Sequence, residues 1–214
     1  VYALKATHEA LEQAGLIGHE VLETRTAVVL GHGTGGVHTL ERAYERFYGA
    51  KSPRPHPLTI PRAMISAATS AITMEFGIKG PAFAVSSACS SSGHSITIGA
   101  LMIKSGLVEA VIVGGSEAMA SAGSMRAWES LQAISATSCR PFSAGRDGTV
   151  IGEGAATLIL ESGTRARNRG ATVLSELRGI GMSSDASHLT QPHAQGAVSA
   201  MTQACRSANI SGGE

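Results

Sequence analysis

The chain is poor in charged and aromatic residues, which make up only 15% and 4% of its 214 residues. Its formal net charge is +1, and it contains no run of Lys and Arg that could follow a phosphate backbone. Scarce aromatic side chains also argue against a surface on which bases would stack. We therefore expect no nucleic acid among the partners of this protein.

Cysteines are few as well, and no apolar stretch is long. Cys89, Cys139 and Cys205 form no C-x-x-C pair, and the eight histidines show no metal-ligand spacing. We therefore expect no metal site and a reducing, cytoplasmic location. No uninterrupted apolar segment reaches the roughly 20 residues that a membrane-spanning helix needs, so no membrane span is predicted.

Apolar and small residues dominate instead, with 43% hydrophobic residues and 26 glycines. Short apolar strands alternate with helical patterns, and strands that are apolar on both faces are typical of a sheet covered by helices on both sides. The predicted fold is a layered α/β architecture. Strands are predicted at 26–30, 81–85, 108–113, 155–160 and 171–182, and helices at 3–14, 38–48, 61–76, 123–134, 162–169 and 196–208, with one more helix directly after Cys89.

Cys89 stands where an apolar strand gives way to small hydroxyl residues and then to a helical pattern. At such a junction, free backbone N–H groups and the helix dipole favour negative charge, and therefore the thiolate. Small neighbours would let a substrate carbonyl approach, and the N–H groups could hold the resulting oxyanion. Cys89 is the candidate nucleophile; the alternative is a buried cysteine that packs as a small hydrophobe.

Three glycines, Gly31, Gly33 and Gly36, match the G-x-G-x-x-G pattern of dinucleotide-binding loops, after a strand and before a helix. The second strand with an acidic end, which that fold requires, is replaced by the proline-rich stretch 53–57. We interpret the glycines as allowing a tight turn and close packing, and we expect no cofactor.

Other polar residues are expected to have structural roles. His94 follows Cys89 by slightly more than one helical turn, so it should point away from the thiol and serve packing or an interface. His188 is expected in a solvated loop. A set of charged side chains before the strand at 155–160 is expected to form an ion-pair network that holds this loop: Arg140, Arg146, Asp147 and Glu153.

A family resemblance rests on five segments in a fixed order. Together they resemble the elongating type II branch of the β-ketoacyl-acyl-carrier-protein synthases, and residues 139–146 are also similar to the nodulation ketosynthases of rhizobia. The resemblance implies a thiolase fold with α-β-α-β-α layers and a homodimer formed through the strand before the nucleophile. The segments are 85–92, 114–117, 139–143, 147–155 and 181–185.

The same resemblance divides the chain and implies a reaction. Residues 1–160 would be most of the nucleophile-bearing half, and 161–214 the start of the second half, with both ends incomplete. Cys89 would accept an acyl group from acyl-carrier protein as a thioester, and malonyl-carrier protein would then decarboxylate and condense with it. The family's two histidines and lysine for that second step would lie beyond this chain, so by itself it should not complete the condensation.

Further positions are carried over from the family. Thr34 would line the acyl pocket and Trp128 would lie beside the acyl tunnel, although ordinary core packing explains either residue equally well. Gln132 stands where many relatives carry an arginine that meets the acidic carrier protein, so Lys51 and Arg54 would supply that contact instead.

Three other functions stay open. Polyketide ketosynthases commonly carry an acidic residue three positions before the cysteine, where this chain has Ser86. Non-catalytic partner subunits usually lack the nucleophile, whereas this chain has Cys89. A module that serves only in dimerisation is the remaining alternative.

Overall fold

The computed structural model describes residues 1–49 and 54–211, and the chain divides into two compact units, Val1–Arg165 and Ala166–Glu214. The first unit contains four strands: β1 (Thr26–Gly31), β2 (Ala82–Val85), β3 (Ala110–Glu117) and β4 (Gly154–Glu161). The helices are α1 (Tyr2–Gln13), α2 (Val21–Thr24), α3 (Val37–Gly49), α4 (Thr59–Ala63), α5 (Ala67–Phe76), α6 (Ser91–Lys104), α7 (Ala122–Ser130), α8 (Gly163–Asn168) and α9 (Ala194–Ala208).

The four strands form one mixed sheet in the order β2-β1-β3-β4. Strand β1 runs parallel to both β2 and β3, and β4 is antiparallel to β3. Alternate residues of β1 supply two separate cores: Val28 and Leu30 pack with α1 and α5, whereas Ala27 and Val29 pack against α6. The predicted α/β fold, with helices on both faces of the sheet, is confirmed.

The helix predicted at 61–76 is in fact two helices, because the backbone at Met64 is extended (φ −61°, ψ 143°). The break serves a tertiary contact: the Ala63 carbonyl accepts a hydrogen bond of 3.1 Å from the Gly36 N–H in the loop after β1. A periodic apolar pattern carries no information about such a contact. The helix predicted at 123–134 also ends early, and Gln132 beyond it adopts a positive φ of 53°.

The prediction of a strand at 171–182 is wrong. Within the described residues, this segment pairs with no other strand. The segment lies instead against α9 of the second unit. A methyl group at Gly179 would be 2.2 Å from the Ala204 carbonyl oxygen, and one at Gly181 would be 1.9 Å from that of Ala200. Apolar residues predict burial, but a strand also needs a neighbouring strand to take its hydrogen bonds.

Carboxylates hold the loops of the first unit in place. Glu153 accepts hydrogen bonds from the His38 ring (3.0 Å) and the Ala120 N–H (3.0 Å), and these contacts, His38 first, hold the pKa of Glu153 below its usual 4.5. Asp147 pairs with Arg140 at 3.1 Å, as expected. The anticipated network is only partly present, since Glu153 pairs with a histidine and the Arg146 guanidinium donates to the Ser143 carbonyl.

Burial predicts opposite outcomes for the same substitution at two leucines. Leu30 on β1 is fully buried, whereas Leu101 on α6 is 51% exposed. We expect Leu30→Ala to lower the free energy of unfolding by about 2–5 kcal/mol, since it leaves a cavity in the core. Leu101→Ala should cost less than about 1 kcal/mol. Urea unfolding of the 214-residue chain measures both, and equal losses would contradict the assignment of Leu30 to the core.

The Glu153 contacts predict a pH-dependent stability. Because its pKa is lowered on folding, ionised Glu153 stabilises the folded state above its usual pKa, and this contribution is lost as the pH falls through the folded value. We expect Glu153→Gln to be less stable than the wild type near neutral pH, with a difference that shrinks below pH 4.5. Urea unfolding between about pH 7 and about pH 3 measures this. Glu75→Gln, at an exposed position on α5, is the matched control, and an equal pH dependence in that variant would contradict the assignment to the Glu153 contacts.

Candidate active site

The three parallel strands end at one edge of the sheet, and each leads into a segment with polar residues. Strand β1 continues into the loop 32–36, β2 continues into the loop 86–90 that contains Cys89, and β3 ends at Ser116 and Glu117. Ligand sites of open α/β sheets form at the carboxyl ends of parallel strands. This edge is therefore the place at which to look for chemistry.

The Cys89 loop is a sharp turn between β2 and α6. Ala88 adopts a positive φ of 53°, a conformation that costs a non-glycine residue about 1–2 kcal/mol. The Ser91 N–H closes the turn with a 3.1 Å hydrogen bond to the Ala88 carbonyl. Cys89 follows the strained residue and is exposed, two positions before α6 begins. The thiol is therefore accessible at the entrance to a helix, and the alternative of a buried cysteine is wrong.

Ser91 joins this turn to the neighbouring strand. Its side chain is 3% exposed, and its Oγ accepts a 2.8 Å hydrogen bond from the Ser87 N–H. The same hydroxyl lies within donating distance of the carbonyls of Ala88 (2.6 Å) and His32 (3.1 Å). A short side chain in the first turn of α6 thereby fixes the cysteine loop to the end of β1.

The glycine loop after β1 is bound by a carboxylate from β3. Glu117 accepts hydrogen bonds from the Gly33 N–H (2.7 Å), the Thr34 N–H (3.0 Å) and the Thr34 hydroxyl (3.1 Å). Backbone N–H groups that would hold a phosphate in a dinucleotide site are here directed at a negative charge. The geometry favours the structural interpretation of these glycines over phosphate binding.

His32 and Glu117 were not singled out as individual site residues from the sequence. The His32 ring is 5% exposed, its Nδ1 lies 2.6 Å from the Ser116 carbonyl, and its Nε2 has no hydrogen-bond partner among the described residues. The His32 N–H donates to the Val85 carbonyl at the end of β2. One residue thus connects the ends of β1, β2 and β3. The sequence feature that could have identified His32 is its position directly after a buried strand.

The other candidate residues are distributed over this unit. Thr34 is exposed in the glycine loop, next to Gly33, whose carbonyl lies 3.5 Å from the Ser86 hydroxyl of the cysteine loop. Trp128 is half-buried on α7, and Arg54 is exposed. Lys51 lies outside the described residues. The structure therefore brings the loops of Thr34 and Cys89 together, whereas within residues 1–49 and 54–211 no hydrogen bond joins the Trp128 side chain to them.

A cavity of about 510 Å³ lies along α3 and the start of α7, but it contains neither Thr34 nor Trp128 among its lining residues. A second cavity of about 280 Å³ extends along the C-terminal half of α3. Both are lined by Leu40, Tyr44 and Tyr48. These side chains of α3 line a wide apolar opening.

Residues 1–49 and 54–211 contain no cluster of three or more His, Cys, Asp or Glu side chains suited to a metal ion. Within the same residues, no helix combines the length and the apolar character that crossing a membrane requires.

Comparison with known proteins places this geometry in a family. Residues 1–166 match the family model "Beta-ketoacyl synthase, N-terminal domain". The chain is 43% identical over 205 residues to nodulation protein E of Rhizobium meliloti (strain 1021), covering 96% of this chain and 51% of that protein. It is 32% identical over 217 residues to 3-oxoacyl-[acyl-carrier-protein] synthase 2 of Coxiella burnetii (strain RSA 493 / Nine Mile phase I), covering 98% of this chain and 52% of that protein.

The structural comparison agrees. The crystal structure of a β-ketoacyl synthase from Burkholderia phymatum STM815 superposes with a TM-score of 0.89 at 33% identity, over 98% of this chain and 53% of that one. The solved neighbours are thiolase-fold ketosynthases, and the chain spans about half the length of the curated relatives it matches. From the matched model and the shared fold, the chain belongs to the β-ketoacyl synthase family.

Proposed function

We propose that this chain carries the acyl-accepting cysteine of a β-ketoacyl-acyl-carrier-protein synthase that acts in fatty-acid or related lipid elongation. The observation that carries the proposal is the exposed Cys89 at the strained turn before α6. A thiol there is accessible to a substrate carbonyl and lies close in sequence to the first turn of a helix, where N–H groups lack intrahelical partners. Membership of the family supports this role.

The reaction proceeds in two steps. The Cys89 thiolate attacks the carbonyl of an acyl thioester, the C–S bond to the carrier breaks, and the carrier leaves as a thiolate that takes up the proton lost by Cys89. A malonyl thioester then loses CO2, its carbanion forms a C–C bond to the acyl carbon, and the Cys89 thiolate is released. Only the first step is assigned to residues of this chain, and backbone N–H groups near the turn would stabilise its oxyanion.

The partners follow from the same proposal. An acyl-carrier protein is acidic, so the exposed Arg54, together with Lys51, would steer its approach. Strand β2 lies at the end of the sheet order and, within the described residues, pairs only with β1. Its free edge supports a homodimer in which the same strand of a second copy continues the sheet.

The alternatives differ in how well the site supports them. An exposed, positioned Cys89 favours a catalytic subunit over a non-catalytic partner or a dimerisation module. A polyketide-type ketosynthase would use the same thiol, and Ser86 in place of an acidic residue is the sequence feature against it. The elongating enzyme is therefore the function we propose.

Replacing Cys89 tests the nucleophile directly. After incubation of the full-length protein with an acyl-thioester donor, intact mass spectrometry should show an increment of one acyl group in the wild type and none in Cys89→Ala. Cys139→Ala is the matched control, since Cys139 is also exposed, and it should load normally. An adduct that persists in Cys89→Ala would overturn the assignment.

Thr34 should limit the length of the acyl chain. Thr34→Phe adds bulk where the pocket is proposed, so the ratio of loading rates for long over short acyl donors should fall by about tenfold. Thr34→Ser keeps the hydroxyl that donates to Glu117 and should leave this ratio within about threefold of wild type. If Thr34→Phe lowers the loading rates of the long and the short acyl donor equally, Thr34 holds the loop and lines no acyl pocket.

A further inference from the structure

His94 contacts the cysteine loop from the body of α6. Its Nδ1 is hydrogen-bonded to the Ser87 hydroxyl, and both side chains are partly buried. Ser87 lies two residues before Cys89, and His94 lies in the first turns of the helix that follows. The pair therefore joins the two sides of the turn that displays the thiol. The sequence-based expectation that His94 serves only packing or an interface misses this contact.

Ser87 is held at every polar group it has. Its N–H donates to the Ser91 hydroxyl (2.8 Å), its carbonyl accepts from the Ser90 hydroxyl (2.7 Å), and its side chain bonds His94. The bonds to Ser90 and Ser91 reach only the turn and the first residue of α6. The bond to His94 alone among these reaches a residue further along α6. It therefore sets how the turn sits on the helix.

The strained residue Ala88 lies between this anchor and the thiol. A left-handed backbone at a non-glycine residue persists only where the surroundings over-determine it. Fixing Ser87 on one side and the start of α6 on the other leaves Ala88 little freedom. The direction of the Cys89 side chain then follows from the direction of the peptide between Ala88 and Cys89.

We propose that His94 is a positioning residue that acts through Ser87 to orient Cys89 for acyl transfer. This inference rests on the proposed role of Cys89 as nucleophile. In this scheme His94 takes no part in proton transfer, and its role rests on the hydrogen bond between its Nδ1 and the Ser87 hydroxyl. Its contribution is alignment, and a misplacement of about 1 Å at a reacting atom can cost about a hundredfold in rate.

The contacting atom suggests a matched pair of variants. Nδ1 is attached to the ring carbon next to Cβ, so His94→Asn places a hydrogen-bonding atom at the same point of the side chain, whereas His94→Leu has the shape of Asn without one. At the other end, Ser87→Thr keeps the hydroxyl and Ser87→Ala removes it. The double variant His94→Leu with Ser87→Ala completes a cycle.

The measurement is the rate of acyl loading from an acyl-thioester donor on the full-length protein. We expect His94→Leu and Ser87→Ala each to lose at least about tenfold, and the double variant to lose no more than either alone. His94→Asn and Ser87→Thr should stay within about threefold of wild type. Alkylation of Cys89 by iodoacetamide, which requires no precise alignment, should change by less than about threefold in all of them.

Several outcomes would overturn the inference. Equal loading by His94→Leu and His94→Asn would show that the hydrogen bond does not matter, and additive losses in the double variant would show that the two residues act separately. A fall in alkylation as large as the fall in loading would indicate lost folding or access instead of lost alignment. If Cys89→Ala still accepts the acyl group, the proposed function fails, which is a result distinct from normal loading by His94→Leu.

Discussion

Helix α6 lies so close to the sheet that only glycine fits at the contact points, and the position of the thiol depends on this approach. A methyl group at Gly31 on β1 would lie 2.3 Å from the Ser91 carbonyl carbon, and one at Gly115 on β3 would lie 2.1 Å from the Ser92 hydroxyl. On the helix side, a methyl at Gly99 would lie 2.4 Å from a methyl of Val113. Any larger residue would lift the helix from the strands. Because Cys89 lies two positions before this helix begins, its place at the sheet edge follows.

The close packing of α6 against the sheet also explains why hydroxyl residues surround the cysteine. Close contact between a helix and strand ends leaves backbone groups with no room for water, so they need partners from short side chains. Ser95 is fully buried, and its hydroxyl both accepts from the Gly114 N–H (3.0 Å) and donates to the Gly114 carbonyl (2.8 Å). Gly114 has a φ of 135°, which is outside ordinary strand geometry. Alanine would fit in Ser95's place but would remove both hydrogen bonds.

Local patterns predicted most of the first unit, since β1, β3 and β4 and the flanking helices depend on apolar periodicity and glycine stops. The two wrong predictions, of one helix at 61–76 and of a strand at 171–182, share a cause. The break at Met64 serves a hydrogen bond to Gly36, and segment 171–182 packs on a helix. Neither contact is local in sequence. Cys89 could be proposed as the nucleophile because its signal is local, whereas His32 and Glu117 act across strands that are far apart along the chain.

The loop 32–36 shows why a glycine pattern alone does not identify a ligand. A tight turn between a strand and a helix needs glycine whether or not it binds phosphate; a methyl at Gly36, for example, would lie 2.4 Å from the Arg62 carbonyl oxygen. What distinguishes the two uses is the charge facing the N–H groups. Here Glu117 occupies that place, so the loop is held by the protein's own carboxylate and no anion is needed. Under the proposed function, a fixed loop next to the cysteine turn suits recognition of an acyl chain by shape, because an apolar chain offers no polar group that could order a mobile loop.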